Sequence, residues 1–224
     1  MIVVSVPSNG LSRRAVCGGV CLLLAGCVTA PQGLWSGVQR GNVSSPDTSI
    51  YGPITDGSHA IPALDLDLVD RDLLRREVTF PAQYRPGTVV VNVSERRLYL
   101  VQRAGRALRY AVGVGREQAL NFRGSAVIGQ KTVWPRWIPT ADMIKRIPRY
   151  AAYAGGMPGG LENPLGARAL YLYAGNRDTY FRIHGTNEPT TIGSAVSSGC
   201  IRMFNQDAID LYNRVPLGAP VVVL

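Results

Sequence analysis

Short runs of β-branched and aromatic residues, separated by turn-forming residues, make up much of the sequence after residue 87. Residues 88–93, 97–102 and 108–114 are three such runs in succession, a pattern typical of an antiparallel meander. Further runs lie at 126–134, 169–173, 180–184 and 221–224. Because strong helical periodicity is scarce, the pattern predicts a mainly β fold.

Two other segments suggest the elements that surround the sheet. Asn205 is a suitable helix N-cap, with Asp207 in the first turn and apolar residues at helical spacing behind it. Residues 135–164 are rich in Pro and Gly, and connections of that length often form lids or binding walls. We expect one or two short helices and a long lid-like loop.

The N-terminus has the features of an export signal. Arg13 and Arg14 precede an apolar stretch, residues 15–26, which is too short to span a bilayer permanently. The stretch ends in Leu-Ala-Gly-Cys27, which resembles the bacterial lipobox, whose Cys is lipidated. Residues 1–26 are therefore predicted to be a lipoprotein-type signal peptide, and Cys27 the lipidated residue. The alternative is a plain secretory signal with a chance Cys.

The predicted signal also limits location and partners. The formal net charge of +9 includes the two signal arginines, and no run of Lys and Arg or nucleic-acid-binding motif accompanies it. We expect an exported protein on the periplasmic face of the bacterial envelope, attached to a membrane through the lipid at Cys27, with no nucleic-acid partner. A Ser-Arg-Arg sequence at 12–14 also resembles a twin-arginine signal, so the export route and the membrane stay open.

The mature chain would keep one free thiol. Cys17 and Cys21 leave with the signal and Cys27 would carry lipid, so Cys200 remains. An unpaired Cys in an exported protein indicates a reactive thiol, and the alternative is a buried, inert Cys. With His184 as the other ligand-type residue of the folded part, the sequence favours neither a metal site nor a cofactor.

Composition divides the mature chain into three parts. Residues 27–62, rich in Gly, Ser and Pro, are predicted to form a flexible tether, in which His59 would be solvated. Residues 63–86 are predicted to be an N-terminal extension packing on the folded domain, and residues 87–224 to be that domain.

His184 and Cys200 form a candidate catalytic pair. His184 ends a predicted strand before Gly185, and Cys200 follows a small-residue turn whose backbone amides could converge as an oxyanion hole. An imidazole near a thiol can take its proton, so the pair suits acyl transfer through a thioester. No carboxylate at a suitable spacing is evident as a third member, and a backbone carbonyl is the alternative.

The residues around the pair resemble a known family. The stretches His184-Gly-Thr-Asn-Glu-Pro, Ile-Gly at 192–193 and Ser-Ser-Gly-Cys200-Ile-Arg-Met-Phe-Asn are similar to the motif of the L,D-transpeptidase (YkuD-like) catalytic domain. The resemblance extends upstream through residues 163–171 and 97–101 and covers roughly residues 87–224. Many members have a second His where this chain has Ser198.

The resemblance implies a β-sandwich-like domain that acts on peptidoglycan. Cys200 would attack the stem peptide at position three and expel the terminal D-Ala, and the acyl group would pass to another stem's amine to give a 3→3 cross-link. His184 would be general base and then acid, and the backbone at Gly199 and Cys200 the oxyanion hole, with Ser198 and Gly185 supporting the site. Arg202 would organise the site or hold a substrate carboxylate, and a structural ion pair is the alternative.

Three questions stay open from the sequence. The acceptor could instead be water, as in a carboxypeptidase, or an envelope protein that becomes tethered to the wall. A non-catalytic wall-binding lipoprotein is the alternative of another class, although it would predict a degraded site. The wall that receives the stem is the third question. Its candidate substrate-binding residues, several of which could equally be core, are Trp134, Trp137, Tyr150, Tyr153 and Asn205.

Overall fold

A computed structural model describes residues 44–117 and 120–224. The predicted signal peptide and Cys27 lie outside these residues. Thirteen strands are assigned in the described part of the chain. They are β1 Ile54–Asp56, β2 His59–Ile61, β3 Arg76–Thr79, β4 Val89–Asn92, β5 Arg97–Val101, β6 Arg106–Ala111, β7 Val114–Gly115, β8 Gly124–Val133, β9 Arg168–Ala174, β10 Arg177–His184, β11 Ala195–Ser197, β12 Ile201–Arg202 and β13 Pro220–Val223.

Nine of these strands form one mixed sheet in the order β12-β10-β9-β8-β13-β4-β5-β6-β3. The predicted meander is present as β4, β5 and β6, which pair antiparallel in sequence order. Two neighbouring pairs are parallel, β13 with β4 and β10 with β12. The remaining strands form two small pairs, β1 with β2 and β7 with β11. The prediction of a mainly β fold is confirmed.

The core lies against the middle of the sheet. Strand β4 is buried along its whole length, as its continuous run of valines suggests, and β9 contributes the fully buried Leu170 and Leu172. Helix α2, Asn205–Arg214, covers this face with Ala208 and Leu211. Burial of these apolar side chains removes them from water and supplies the main driving force for the fold.

The helices are few and short. Helix α1, Ala141–Arg146, lies within the predicted lid and is capped by Thr140, whose hydroxyl accepts from the Met143 amide. The predicted N-cap of α2 is wrong by one residue, because Phe204 occupies that position and Asn205 is already helical. Short 3₁₀ helices are Thr48–Tyr51, Arg71–Leu73, Pro148–Tyr153 and Pro189–Thr191. No helix in the described ranges is long and apolar enough to cross a membrane.

Residues 44–62 are folded, although the composition of this segment predicts a flexible tether. Tyr51 is buried and its hydroxyl donates to the Asp207 carboxylate at 3.1 Å. In the β1–β2 hairpin, Asp56 pairs with Arg168, and His59 stacks on Trp134 with ring centroids 4.0 Å apart instead of being fully solvated. Because long-range contacts order this segment, its own composition and apolar periodicity give no sign that it is folded.

Residues 63–86 add an edge strand to the main sheet. Strand β3 pairs antiparallel with β6, so Arg76 lies opposite Arg109 and Thr79 opposite Arg106. Arg75, just before β3, reaches Asp210 on α2 at 2.7 Å. The extension is thus part of the same folded unit as the domain predicted to begin at residue 87.

Candidate active site

Parallel pairing of β10 and β12 brings His184 and Cys200 to one place. His184 lies opposite Arg202 in the register, and Cys200 immediately precedes β12. The His184 carbonyl accepts from the Met203 amide at 2.8 Å, which extends the pairing past the end of β10. The sixteen-residue gap in sequence is therefore closed by strand pairing.

The His184 ring is held by backbone. It is 4% exposed, and its Nδ1 lies 2.6 Å from the Gly185 carbonyl oxygen. A carbonyl accepts only, so Nδ1 carries the proton and Nε2 is left as the base. Burial, with the positive charges of Arg202 and Arg182 next, lowers the His184 pKa to about 4. The ring is therefore neutral at neutral pH.

Cys200 is half-buried, and it is the one cysteine among the described residues, where it forms no disulfide. Its Sγ lies 4.0 Å from the carbonyl oxygen of Tyr180, towards which the S–H can point. Burial raises the pKa of the Cys200 thiol above its usual value, although hydrogen bonding by the Arg182 backbone amide acts in the opposite direction. At neutral pH the thiol and the imidazole, which line one cavity, are therefore both neutral.

A hydroxyl closes the turn before Cys200. Ser197 Oγ donates to the Cys200 carbonyl at 2.7 Å and accepts from the Gly199 amide at 3.1 Å. Gly199 has φ +126°, and a Cβ there would lie 2.3 Å from the Leu120 carbonyl oxygen, so the position requires glycine. Because its amide is already engaged, Gly199 is not a free oxyanion donor as the sequence suggested.

Both candidate catalytic side chains line one cavity of about 290 Å³. Its wall comes from the lid, from β9 and β10, and from the turn before β12. The lining residues are Arg136, Trp137, Ile138, Thr140, Met143, Tyr150, Pro164, Leu165, Tyr171, Tyr180, Arg182, His184, Ser197, Ser198, Cys200 and Arg202. A small, partly apolar cleft lined by a thiol and an imidazole can accept an acyl group.

The predicted substrate-binding aromatics divide into two groups. Trp137 lines the cavity and packs edge-on against Tyr150, which lines it as well. Trp134 stacks on His59 away from the cavity, and Tyr153 lies behind Trp137 with centroids 6.0 Å apart. Of the four aromatic residues predicted for the wall, Trp137 and Tyr150 line the cavity, and Trp134 and Tyr153 do not.

Asn205 does not line the cavity, contrary to the sequence-based prediction. Its Oδ1 accepts from the amides of Ala167 and Thr186 at 2.9 and 3.3 Å, and its Nδ2 donates to the Thr186 carbonyl at 2.9 Å. The side chain thus fastens the loop after His184 to the start of β9, which makes Asn205 a structural clamp.

The family of the chain follows from comparison with known proteins. Residues 86–223 match the YkuD family model, described as the L,D-transpeptidase catalytic domain. The chain belongs to this family.

Among similar proteins is the probable L,D-transpeptidase ErfK/SrfK of Salmonella typhimurium, 32% identical over 154 residues, 66% of this chain and 47% of that protein. The putative L,D-transpeptidase YkuD of Bacillus licheniformis is 33% identical over 138 residues, 62% of this chain and 66% of that protein. The chain spans about half the length of the first curated relatives it matches.

One similar solved structure has a different description. A protein from Brucella melitensis described as a probable carnitine operon oxidoreductase is 53% identical, with 70% of this chain and 96% of that chain covered and a TM-score of 0.48. That activity is said of the Brucella protein. The YkuD assignment rests on the match of residues 86–223.

Several residues of the YkuD cavity were missed by sequence reasoning. Tyr180 lies in a bulge of β10, has φ +62° and is 81% exposed, with its amide held by Asp178 Oδ1 at 2.8 Å. Arg182 and Arg136 also line the wall. Alternation along β10 is broken by the bulge, so the sequence gives no signal for the direction of these side chains.

Arg202 forms an ion pair, which was the structural alternative for this residue. Its Nη1 lies 2.7 Å from Glu188 Oε2, and its backbone pairs with Gly113 in both directions at 2.9 Å. Arg202 also lines the cavity, and its positive charge helps to lower the pKa of His184. Within the described residues, no cluster of three or more His, Cys, Asp or Glu could hold a metal ion.

Proposed function

We propose that the protein is a cysteine-dependent L,D-transpeptidase that forms 3→3 cross-links in peptidoglycan. Cys200 would be acylated by a tetrapeptide stem with release of D-Ala, and the acyl group would pass to an acceptor amine. One observation carries the proposal: His184 and Cys200 line the same cavity, with the His184 ring fixed through Nδ1 to the Gly185 carbonyl.

The backbone carbonyl of Gly185 takes the part that an Asp plays in other catalytic triads. It fixes the tautomer with Nε2 unprotonated and holds the ring plane. A neutral carbonyl stabilises an imidazolium less than a carboxylate does, which suits a site where Arg182 and Arg202 already disfavour the cation. The imidazolium would therefore be short-lived and a strong proton donor.

Acylation begins from the neutral pair. As Sγ attacks the stem carbonyl, the S–H proton passes to His184 Nε2 and the carbonyl oxygen becomes an oxyanion. We assign the oxyanion to the Cys200 amide, because the Gly199 amide is bonded to Ser197. Ser198, which lines the cavity beside the thiol, supports the same region. Collapse breaks the C–N bond, the leaving D-Ala amine takes the proton from His184, and a thioester remains.

Transfer repeats these steps in reverse. The acceptor amine attacks the thioester carbonyl and gives a proton to His184. The C–S bond then breaks, and the sulfur recovers its proton as the amide forms. The proton that leaves with D-Ala in acylation is replaced by one from the acceptor amine in transfer, so His184 is base and acid in turn and protons balance over the full cycle. An amine acceptor gives a cross-link, and water would give a shortened stem.

We also propose an exported, lipid-anchored location. The lipobox-like sequence ending at Cys27 and the signal-like residues 1–26 support it. In this proposal the lipid holds the enzyme on the periplasmic face of the envelope, with peptidoglycan in reach. A Cys27→Ser variant should then leave the membrane fraction on cell fractionation, and a variant that stays membrane-bound would contradict the anchor.

The activity is tested with a purified disaccharide-tetrapeptide as both donor and acceptor. Mass spectrometry should detect released D-Ala and a 3→3 dimer with the unaltered protein, and neither product with Cys200→Ala. Cys200→Ser is the matched control, because it keeps the shape but not the nucleophilicity of the thiol. Release of D-Ala without dimer would identify water as the acceptor, and equal turnover by Cys200→Ala would refute the nucleophile.

A further inference from the structure

Three arginines line the cavity that holds Cys200: Arg136, Arg182 and Arg202. In the proposed function, on which the following inference rests, the donor stem carries free carboxylates, of which that of the terminal D-Ala is nearest to the reacting carbonyl. A guanidinium binds a carboxylate through two parallel hydrogen bonds, so these arginines are the natural candidates to receive one.

Two of the three are already paired. Arg182 binds Asp178 in a bidentate manner, with both N···O distances 2.7 Å, and its guanidinium lies 4.2 Å from the Tyr171 ring centroid. Arg202 pairs with Glu188 at 2.7 Å. A substrate carboxylate would have to displace an existing partner at either residue and would gain little charge stabilisation.

Arg136 is different, because within residues 44–117 and 120–224 it pairs with no carboxylate. Its recorded partner is the carbonyl oxygen of Gly155, to which Nη2 donates. A guanidinium has five N–H donors, so most of its capacity is unused. It is exposed at the cavity rim, where a substrate can reach it.

The position of Arg136 is fixed in advance. The next residue, Trp137, exchanges two backbone hydrogen bonds with Met157, at 2.9 and 2.7 Å. Gly156, with φ +92°, lets the guanidinium lie against the chain, since a Cβ there would be 2.2 Å from Arg136 Nε. A cation held in this way loses little conformational freedom on binding.

We propose that Arg136 is a specificity-determining residue that receives a free carboxylate of the donor stem peptide. Two carboxylates have this chemistry, that of the terminal D-Ala and that of the diamino acid whose carbonyl is attacked. In either case the contact selects stems that carry the free acid over stems that carry the amide.

The test compares three synthetic donors: one with both carboxylates free, one amidated at the D-Ala and one amidated at the diamino acid. Steady-state kcat and KM are measured for the unaltered protein and for Arg136→Gln, Arg136→Lys and Arg146→Gln. Arg146 is the matched control, because it is an exposed arginine of the same lid that does not line the cavity.

Loss of a charge-assisted contact should raise KM for the fully free donor about ten- to hundredfold in Arg136→Gln, with little change in kcat. One amidated donor should show the same loss with the unaltered protein and no further loss with Arg136→Gln, which identifies the carboxylate. Arg136→Lys should recover part of the binding, and Arg146→Gln should match the unaltered protein.

The proposal is overturned if Arg136→Gln discriminates among the three donors as the unaltered protein does, or if it loses the same factor on all three. Thermal unfolding of each variant identifies a folding defect, and Arg136→Lys then supplies the comparison. If the unaltered protein turns over none of the donors, it is the proposed function that fails, which is a different result from lost discrimination.

Discussion

The side-chain oxygen of Asn205 fills the space beside Gly185. An ideal Cβ on Gly185 would lie 2.1 Å from Asn205 Oδ1, which meanwhile accepts the amides of Ala167 and Thr186. The Asn205 side chain can therefore bind the amides of Ala167 and Thr186 only because residue 185 has no side chain. This clamp controls the backbone whose carbonyl holds the His184 ring.

Gly185→Ala should destabilise the protein by about 1–3 kcal/mol, because the new methyl group and the Asn205 amide cannot share one place. Acylation should slow as well, since the Gly185 carbonyl moves relative to His184. Denaturant unfolding and the rate of D-Ala release measure the two effects. Asn205→Ala should itself cost about 1–3 kcal/mol by leaving buried amides without a partner.

The double variant Gly185→Ala, Asn205→Ala is the control for this coupling. Removal of the Asn205 amide makes room for the methyl group, so the combined loss should be smaller than the sum by at least roughly 0.5 kcal/mol. Strict additivity would mean that the two residues do not interact.

Stability should depend on pH through His184. The imidazole takes up a proton near pH 6.5 in the unfolded chain but only near pH 4 when buried, so this contribution is complete above about pH 6.5 and is lost as the pH falls towards 4. The full difference is on the order of 3 kcal/mol. His184→Asn should remove it, which unfolding curves at pH 4.5 and 7 would reveal as a flatter profile below about pH 6.5.

Asp207 should make the stability of the protein depend on pH in the opposite direction, with stability lost as the pH rises. Burial raises its pKa from 3.8 to about 7, so its contribution is complete below about pH 4 and is lost as the pH rises through 7. Asp207→Asn keeps the neutral shape and should remove this loss, so the variant should gain stability relative to the unaltered protein between pH 5 and about 8. A profile with the same slope in both proteins would show that the carboxyl is ionised throughout.

Replacement of Tyr180 by glycine should stabilise the protein. Its φ of +62° disfavours any residue with a Cβ, and its ring is 81% exposed, so few contacts are lost. Tyr180→Gly should raise the free energy of unfolding by about 0.5–1 kcal/mol after the entropy cost of glycine is subtracted. The change should be visible as a higher melting temperature. Tyr180→Ala retains the strain and is the control; equal effects of both variants would mean that the backbone is unstrained.

The β1–β2 hairpin should be needed for full stability. Asp56 binds Arg168 with N···O distances of 2.6 and 2.9 Å, and Arg168 is buried. Asp56→Ala leaves a buried guanidinium without its anion, which should cost about 3 kcal/mol. Asp142→Ala on the exposed ion pair with Lys145 is the control and should cost under about 1 kcal/mol.

The strands could be predicted because their signals are local. The valine run of β4 and the run of aliphatic and aromatic residues in β5 favour strands whatever surrounds them. Residues 44–62 were not predictable as folded, since Tyr51 and Asp56 are held by partners 156 and 112 residues away. The residue type of Asn205 suits both an N-cap and a substrate contact, but the direction of its side-chain amide, which bonds to Thr186, depends on the packing of distant segments.

The strand patterns indicated a mainly β domain, and the residues around His184 and Cys200 resemble the YkuD family and point to this candidate pair. The surroundings of the pair could be established only from the folded chain. The tertiary structure placed the Gly185 carbonyl on the His184 ring, engaged the Gly199 amide with Ser197, and paired Arg202 with Glu188. These three contacts depend on strand register and on packing between distant segments. The same packing buries His184 and Cys200, and burial sets their charge states.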